Sequence, residues 1–127
     1  MKEPQVPATY DENYYLAGKP QEVLDLYRAV DHLCLSIKPE AVEKRFKAKH
    51  IGYACDKSVF CCVHLQQSGL RIWLHLEYSH LQNPPSFARD VTNVGHYGTG
   101  DLELDISNLS QLEEAAPLIQ MSFESRT

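Results

Sequence analysis

The chain has 127 residues, a length that holds one hydrophobic core and leaves no room for a second. Apolar residues make up 43% and charged residues 23%, which excludes wholesale disorder. The net charge of −5 excludes a protein that coats nucleic acid with a broadly basic surface, although it leaves room for a local basic face. No apolar run reaches the roughly 18 residues of a membrane span, and residues 1–9 lack the hydrophobic stretch of a secretory signal. A soluble, cytoplasmic protein without a membrane partner is expected. Cys34, Cys55, Cys61 and Cys62 form no Cys-x-x-Cys pair, and no zinc-finger spacing occurs. Reduced, buried thiols are expected.

Residues 1–19 read as a polar, irregular arm in which Tyr10, Tyr14, Tyr15 and Leu16 are placed to pack back on a domain spanning 20–125. Pro20 suits the first position of a helix, where its missing N–H has no partner to lose. Val23, Leu26, Tyr27, Val30, Leu33, Cys34 and Ile37 then fall on one stripe, which predicts a helix over 21–37 that Pro39 stops.

The period then shortens. Val42–Phe46, His50–Ala54, Val59–Gln66 and Leu70–Glu77 predict strands of an antiparallel meander. A two-residue turn at Ser68-Gly69 pairs Leu65 with Ile72, Val63 with Leu74 and Cys61 with Leu76, all apolar. A three-residue turn would mix the faces, so the buried face selects the two-residue turn.

That register puts Phe60, Cys62, His64 and Gln66 opposite Arg71, Trp73, His75 and Glu77 on the second face. Trp73 beside Arg71 reads as a platform on which a flat, charged ligand stacks. The plainer reading is a two-sided sheet with Trp73 packed under the N-terminal arm or a partner. Cys62, His64 and His75 could meet, but they lack supporting carboxylates, and no metal or other cofactor is expected.

Residues 78–100 form a long connection, and such connections are generally functional or disordered. Arg89, Asp90, Asn93, His96 and Tyr97 are the densest polar and aromatic cluster in the chain. Gly95, Gly98 and Gly100 give the backbone room for positive φ or close approach. As a site, Arg89 would clamp an anion, His96 would act as a base, and Asp90 or Asp101 would orient it. As plain structure, the same residues tie down a turn. The glycines do not make a phosphate cradle, because no Lys-Ser/Thr pair follows and no helix opens. Asp101, Glu103 and Asp105 alternate as the carboxylates of a metal-dependent nuclease would, and as any solvated strand face would. Leu102–Ile106 is a strand, placed on an edge or beside Leu70–Leu76. Ser110 and Glu113 form a capping box for a last helix, whose stripe is Leu112, Ala115, Ala116, Ile119 and Phe123 and which Pro117 should bend.

The run Arg89-Asp90…Gly95-His96-Tyr97-Gly98-Thr99-Gly100-Asp101 resembles the C-terminal signature of domain-of-unknown-function family 5655, whose members are often labelled "predicted transport protein". Leu16-Ala17-Gly18-Lys19-Pro20 resembles the family's entry to its first helix, and the similarity runs to about Glu124. The resemblance implies a module appended to restriction-nuclease-like, DNA-cleaving proteins. It also implies that Arg89, Asp90, Gly95, His96, Tyr97, Gly98, Gly100 and Asp101 matter, without giving them roles. Tyr97 stands where the family often has tryptophan.

The expected fold is α+β, an antiparallel four- to five-stranded meander with an N-terminal and a C-terminal helix on one face. The expected function is a non-catalytic binding or accessory module that recognises a nucleic acid or nucleotide, beside a nuclease-type protein partner. Arg89, Asp90, Asn93, His96, Tyr97, Asp101, Arg71 and Trp73 would line its surface. The alternatives are a small metal-assisted hydrolase using His96 with Asp90 and Asp101, and an adaptor that dimerises through the Trp73 face.

Overall fold

The computed structural model describes residues 11–95 and 98–126. It is α+β, with three α-helices and one antiparallel sheet of six strands in the order β1-β2-β3-β4-β6-β5. The strands are β1 (Val42–Phe46), β2 (Ile51–Cys55), β3 (Ser58–Leu65), β4 (Leu70–Leu74), β5 (Ala88–Asp90) and β6 (Leu102–Ile106). The helices are α1 (Glu12–Leu16), α2 (Gln21–Ile37) and α3 (Leu109–Arg126).

The arm is less irregular than its composition implies. Asp11 caps α1 by accepting the Tyr14 N–H at 3.1 Å, and Tyr15 is buried. The Tyr15 hydroxyl donates to the His50 carbonyl at 3.1 Å while its ring stacks on Phe46. Helix α2 has the predicted bounds, with Val23, Leu26, Tyr27, Val30 and Cys34 buried. Pro20 stands one place earlier than expected. Its extended backbone makes it the cap, and its carbonyl accepts the Val23 and Leu24 N–H groups at 3.0 and 3.1 Å.

Six strands replace the expected four or five because Ala88–Asp90 also pairs with β6. Three residues carry too little alternation to be read as a strand in isolation. Strand β6 lies between β4 and β5, in register Leu70↔Ile106 and Leu74↔Leu102.

The β3–β4 hairpin keeps the predicted faces, but its turn moves by one residue and its pairing therefore by two. Leu65 pairs with Leu70, Val63 with Ile72 and Cys61 with Leu74, around a turn at Gln67-Ser68 closed by the Gln66 N–H to the Gly69 carbonyl at 2.9 Å. The reason lies at Gly69, where a Cβ would come within 2.2 Å of the Ile106 carbonyl oxygen. Glycine is needed there for the close approach of β6, not for the turn. Strand β4 also stops at Leu74 instead of running to Glu77. The His75 N–H leaves the ladder and donates to Ser122 Oγ of α3 at 2.9 Å.

The cap of α3 is Asn108, not Ser110. Asn108 Oδ1 accepts the Gln111 N–H at 2.9 Å, and Gln111 Oε1 accepts the Ser107 N–H at 2.7 Å. The helix continues through an exposed Pro117, with Leu112, Ala115, Ile119 and Ser122 buried.

All three helices pack on one sheet face, over a core that includes Ile51, Tyr53, Cys61, Val63, Ile72, Leu74, Leu102 and Leu104. Within that layer Lys44 is half-buried between two carboxylates and a phenol. Its Nζ lies 2.8 Å from both Glu12 Oε2 and Asp31 Oδ1, and donates to Tyr27 Oη at 2.6 Å. Tyr27 donates onward to Glu12 at 2.7 Å, and Tyr53 donates to Asp31 at 2.8 Å. The cluster joins α1, α2, β1 and β2. Burial, reinforced by Glu12, pushes the Tyr27 phenol up to about 12. Burial alone would pull Lys44 down, but its bonds to Asp31, Glu12 and Tyr27 outweigh that and hold it above its usual value.

Both groups keep their protons longer in the folded chain than in the unfolded one. Their stabilisation is fully present below the ordinary tyrosine value of 10.0 and is lost as the pH rises through about 12. Urea midpoints measured across this window should fall steeply for the native protein and less steeply for Tyr27→Phe. Parallel curves for the two proteins would show that the cluster contributes nothing to alkaline stability.

Candidate functional site on the open sheet face

No helix covers the second face of the sheet among the described residues. One continuous row of cross-strand neighbours runs over it, Arg45–Gly52–Cys62–Trp73–Glu103–Arg89. A shorter row, His64–Arg71–Asp105, lies beside it. The strand alternation that sends Cys61, Val63 and Ile72 to the helices sends these residues outward.

Trp73 is not a platform. It is 1% exposed and forms a second small core with Cys62 and Val91. What covers it is the glycine loop. A Cβ on Gly98 would lie 2.5 Å from Trp73 Cε3 and 2.7 Å from Cys62 Cβ, so bare backbone rests on the indole. Gly100 has φ +110°, and a Cβ there would lie 2.5 Å from the Leu74 carbonyl oxygen. Between them, Thr99 Oγ1 sits 2.9 Å from His75 Nε2 and 3.7 Å from Cys62 Sγ. The exposed indole of the platform reading is corrected by this burial, since backbone of its own chain rests on the ring.

The centre of the row is Glu103, 5% exposed. Its Oε1 accepts Trp73 Nε1–H at 3.0 Å, and its Oε2 lies 3.3 Å from Arg89 Nε and 3.7 Å from Arg71 Nε. Arg71 also reaches Asp105 at 3.1 Å, and that hydrogen bond raises its pKa. A buried carboxylate persists when it is hydrogen-bonded and its charge is paired, and here the indole donates to Glu103 while two guanidinium groups pair its charge. Glu103 was legible only as one of three alternating acids. Its central place depends on cross-strand partners that sequence spacing does not give.

The structure brings Arg71, Trp73 and Arg89 together around Glu103, and it gives Asp90, Asn93 and Asp101 other surroundings. Asp90 Oδ1 accepts the Thr92 N–H at 3.0 Å and the Thr92 hydroxyl at 2.6 Å, which lowers its pKa. Asn93 is exposed on the turn that follows. Asp101 lies in a different hollow, shared with His75, Glu77, Ser125 and Arg126. There burial, with help from Arg126, lowers the His75 pKa against the opposing pull of Asp101. His96 and Tyr97 lie outside the described residues.

Cys62, His64 and His75 are also dispersed. In the observed register Cys62 faces Trp73, the His64 ring lies beside the indole, and burial pushes the Cys62 thiol up, away from the thiolate a metal ligand needs. Among the described residues no group of three or more His, Cys, Asp or Glu side chains could hold a metal ion.

At the β1–β2 end of the row lies a pocket of about 400 Å³ that the motif search missed. Gly52, Val59 and Cys62 form its floor, Thr99 of the glycine loop lines one side, and Arg45, Lys47, Lys49 and His50 surround it. No carboxylate lines it among the described residues. The signal was present in Lys44-Arg45-Phe46-Lys47-Ala48-Lys49-His50, which holds four of the 12 lysines and arginines. Strand alternation separates Lys44, neutralised on the helix side, from Arg45 on the open side.

A family model described as domain of unknown function (DUF5655) matches residues 12–126. A protein of Haemophilus influenzae, described as uncharacterized, is 30% identical over 115 residues, which make up 91% of this chain and 37% of that protein. The chain therefore spans a little over a third of the length of this relative. No solved structure matches.

Two substitutions test the geometry. Gly98→Ala should lift the loop from the indole, so that acrylamide quenches the single tryptophan, Trp73, more strongly; unchanged quenching would mean that the loop does not seal it. Glu103→Ala should cost about 3 kcal/mol in urea unfolding, because it strands two arginines and the indole N–H, and Glu103→Gln should cost less because its amide oxygen still accepts. Equal losses for the two variants would put the whole effect on the carboxylate's charge beside Arg71 and Arg89 and none on the bond it accepts from the indole.

Proposed function

The chain belongs to the DUF5655 family, and we propose that it is a non-catalytic binding module, an accessory to DNA-processing partners, whose ligand is anionic. The observation that carries this reading is the pocket at Arg45, Lys47, Lys49 and His50, which no carboxylate lines among the described residues, on a chain whose net charge is −5. Gathering cations in one concavity costs self-repulsion, which an incoming anion relieves. Arg45 has Glu43 at 3.7 Å, but Glu43 stands outside the lining.

Phosphate is the anion class that best suits an arginine and two lysines placed around a concavity. Such a contact is local, which agrees with an acidic chain better than a broad phosphate grip does. An accessory role draws support from the longer relative, within which the matched region is a minor part. Hydrolysis has less in its favour, since the Asp90 carboxylate is held by Thr92 and Asp101 lies in another hollow. Arg71 and Arg89 belong to the support of the surface, through Glu103, and Trp73 to its packing.

Binding of a short fluorescent oligonucleotide should weaken by about tenfold or more in the Lys47→Gln/Lys49→Gln double variant. The slope of log affinity against log salt should become shallower by about 2, one for each lost phosphate contact. If the native protein ignores single-stranded and duplex oligonucleotides at low salt, the nucleic-acid part of this reading is wrong.

A further inference from the structure

We infer that the pocket holds one nucleotide, with its planar ring laid over Gly52 and its phosphate directed to Arg45, Lys47 and Lys49. The inference rests on the binding-module reading and adds the class of ligand. Its independent support is Gly52 itself.

Glycine in the middle of a strand weakens the strand, and it ordinarily marks a bulge or a close backbone approach. At Gly69, Gly98 and Gly100 that approach comes from the protein, since a Cβ would lie 2.5 Å or less from another atom. Gly52 differs. Its φ is not among the positive values, and among the described residues the nearest atoms to a Cβ there would be Val59 Cγ1 at 3.8 Å, with Val59 Cγ2 and the Arg45 carbonyl oxygen at 3.9 Å. These are ordinary contacts, so neither the backbone nor the neighbouring side chains require glycine. What a side chain there would enter is the pocket.

The rest of the lining fits the same occupant. Val59 and the Cys62 thiol, which burial keeps protonated, offer an apolar surface to a ring. The cations stand around it, with Lys47 and Lys49 exposed to solvent and Arg45 half-buried. A volume of about 400 Å³ suits a small organic ligand and exceeds what an isolated phosphate fills. Because Thr99 of the covering loop lines one side, the site is shaped for a single residue rather than for the continuous backbone of a duplex. A free nucleotide and the unpaired end of a strand share this chemistry.

Isothermal titration of the full chain with a nucleoside 5′-monophosphate, inorganic phosphate and a short 5′-phosphorylated single strand tests the inference. The monophosphate should bind at least about tenfold more tightly than inorganic phosphate. Gly52→Val should lose about tenfold or more of the monophosphate affinity while phosphate affinity and the urea midpoint hold or rise. Should valine fail to fold, Gly52→Ala gives the same comparison with a smaller loss. Tighter binding of the phosphorylated strand than of the free nucleotide would identify the strand end as the source, and the reverse would identify the free nucleotide. Equal affinities for monophosphate and phosphate, or a Gly52→Val protein that binds the nucleotide normally, would overturn the inference. If oligonucleotide binding still depended on Lys47 and Lys49, the binding-module reading would survive that result. If no anion bound, both would fall.

Discussion

The indole of Trp73 lies on the sheet face that no helix covers among the described residues, and backbone covers it. Everything on that face follows from this packing problem. A large aromatic ring at the centre of a sheet must leave water, and its N–H must keep a partner. Gly98 solves the first requirement by bringing a chain segment down to contact, which any side chain at that position would prevent. Glu103 solves the second, and brings a charge into the buried layer with it. That charge in turn fixes Arg71 and Arg89, and through Arg89 the short strand β5. Of the residues that read as a recognition cluster in sequence, Arg71 and Arg89 meet the Glu103 carboxylate that holds the indole N–H, and Trp73 is the buried ring itself.

The pocket draws on the same solution. Thr99 lines it because the loop is held down on both sides, by Gly98 against Trp73 and by Gly100 against Leu74. The opposite side comes from the β1–β2 hairpin, whose alternation divides one basic stretch between two environments. Lys44 meets Glu12 and Asp31 in the helix layer, whereas Arg45 faces the pocket. Two adjacent residues of similar charge thus serve folding and the candidate site separately.

Much of this architecture was legible from periodicity. The stripe from Val23 to Ile37 located α2 to the residue, and the apolar pairing of Cys61, Val63 and Leu65 fixed which face of β3 meets the helices. Features set by distant partners were not. The β3–β4 turn moved because Gly69 answers to Ile106, far along the chain, and β5 was too short to have a period of its own. Asn108 displaced Ser110 as the cap because a cap depends on where the helix bonds begin, which two plausible polar residues do not settle. The candidate site suffered more. Net charge averages over the whole chain, so a total of −5 concealed the basic hairpin, while the glycine-rich signature pointed to Gly98 and Gly100, whose bare backbone packs against Trp73 and Leu74.

The neck of the glycine loop has an architectural consequence. Strands β5 and β6 pair through Asp90↔Leu102, and just beyond them the Val91 N–H bonds to the Asp101 carbonyl at 2.9 Å. The segment between is closed at its base like an Ω-loop, and its ends stay together whatever lies at the tip. Because closure entropy grows only slowly with length, residues can be gained or exchanged between Asn93 and Gly95 without shifting the register of β6, whereas Gly98 and Gly100 are held by their contacts with Trp73 and Leu74. The loop is therefore half variable and half fixed: its exposed first part is free to diverge while the part that borders the pocket stays locked to the sheet.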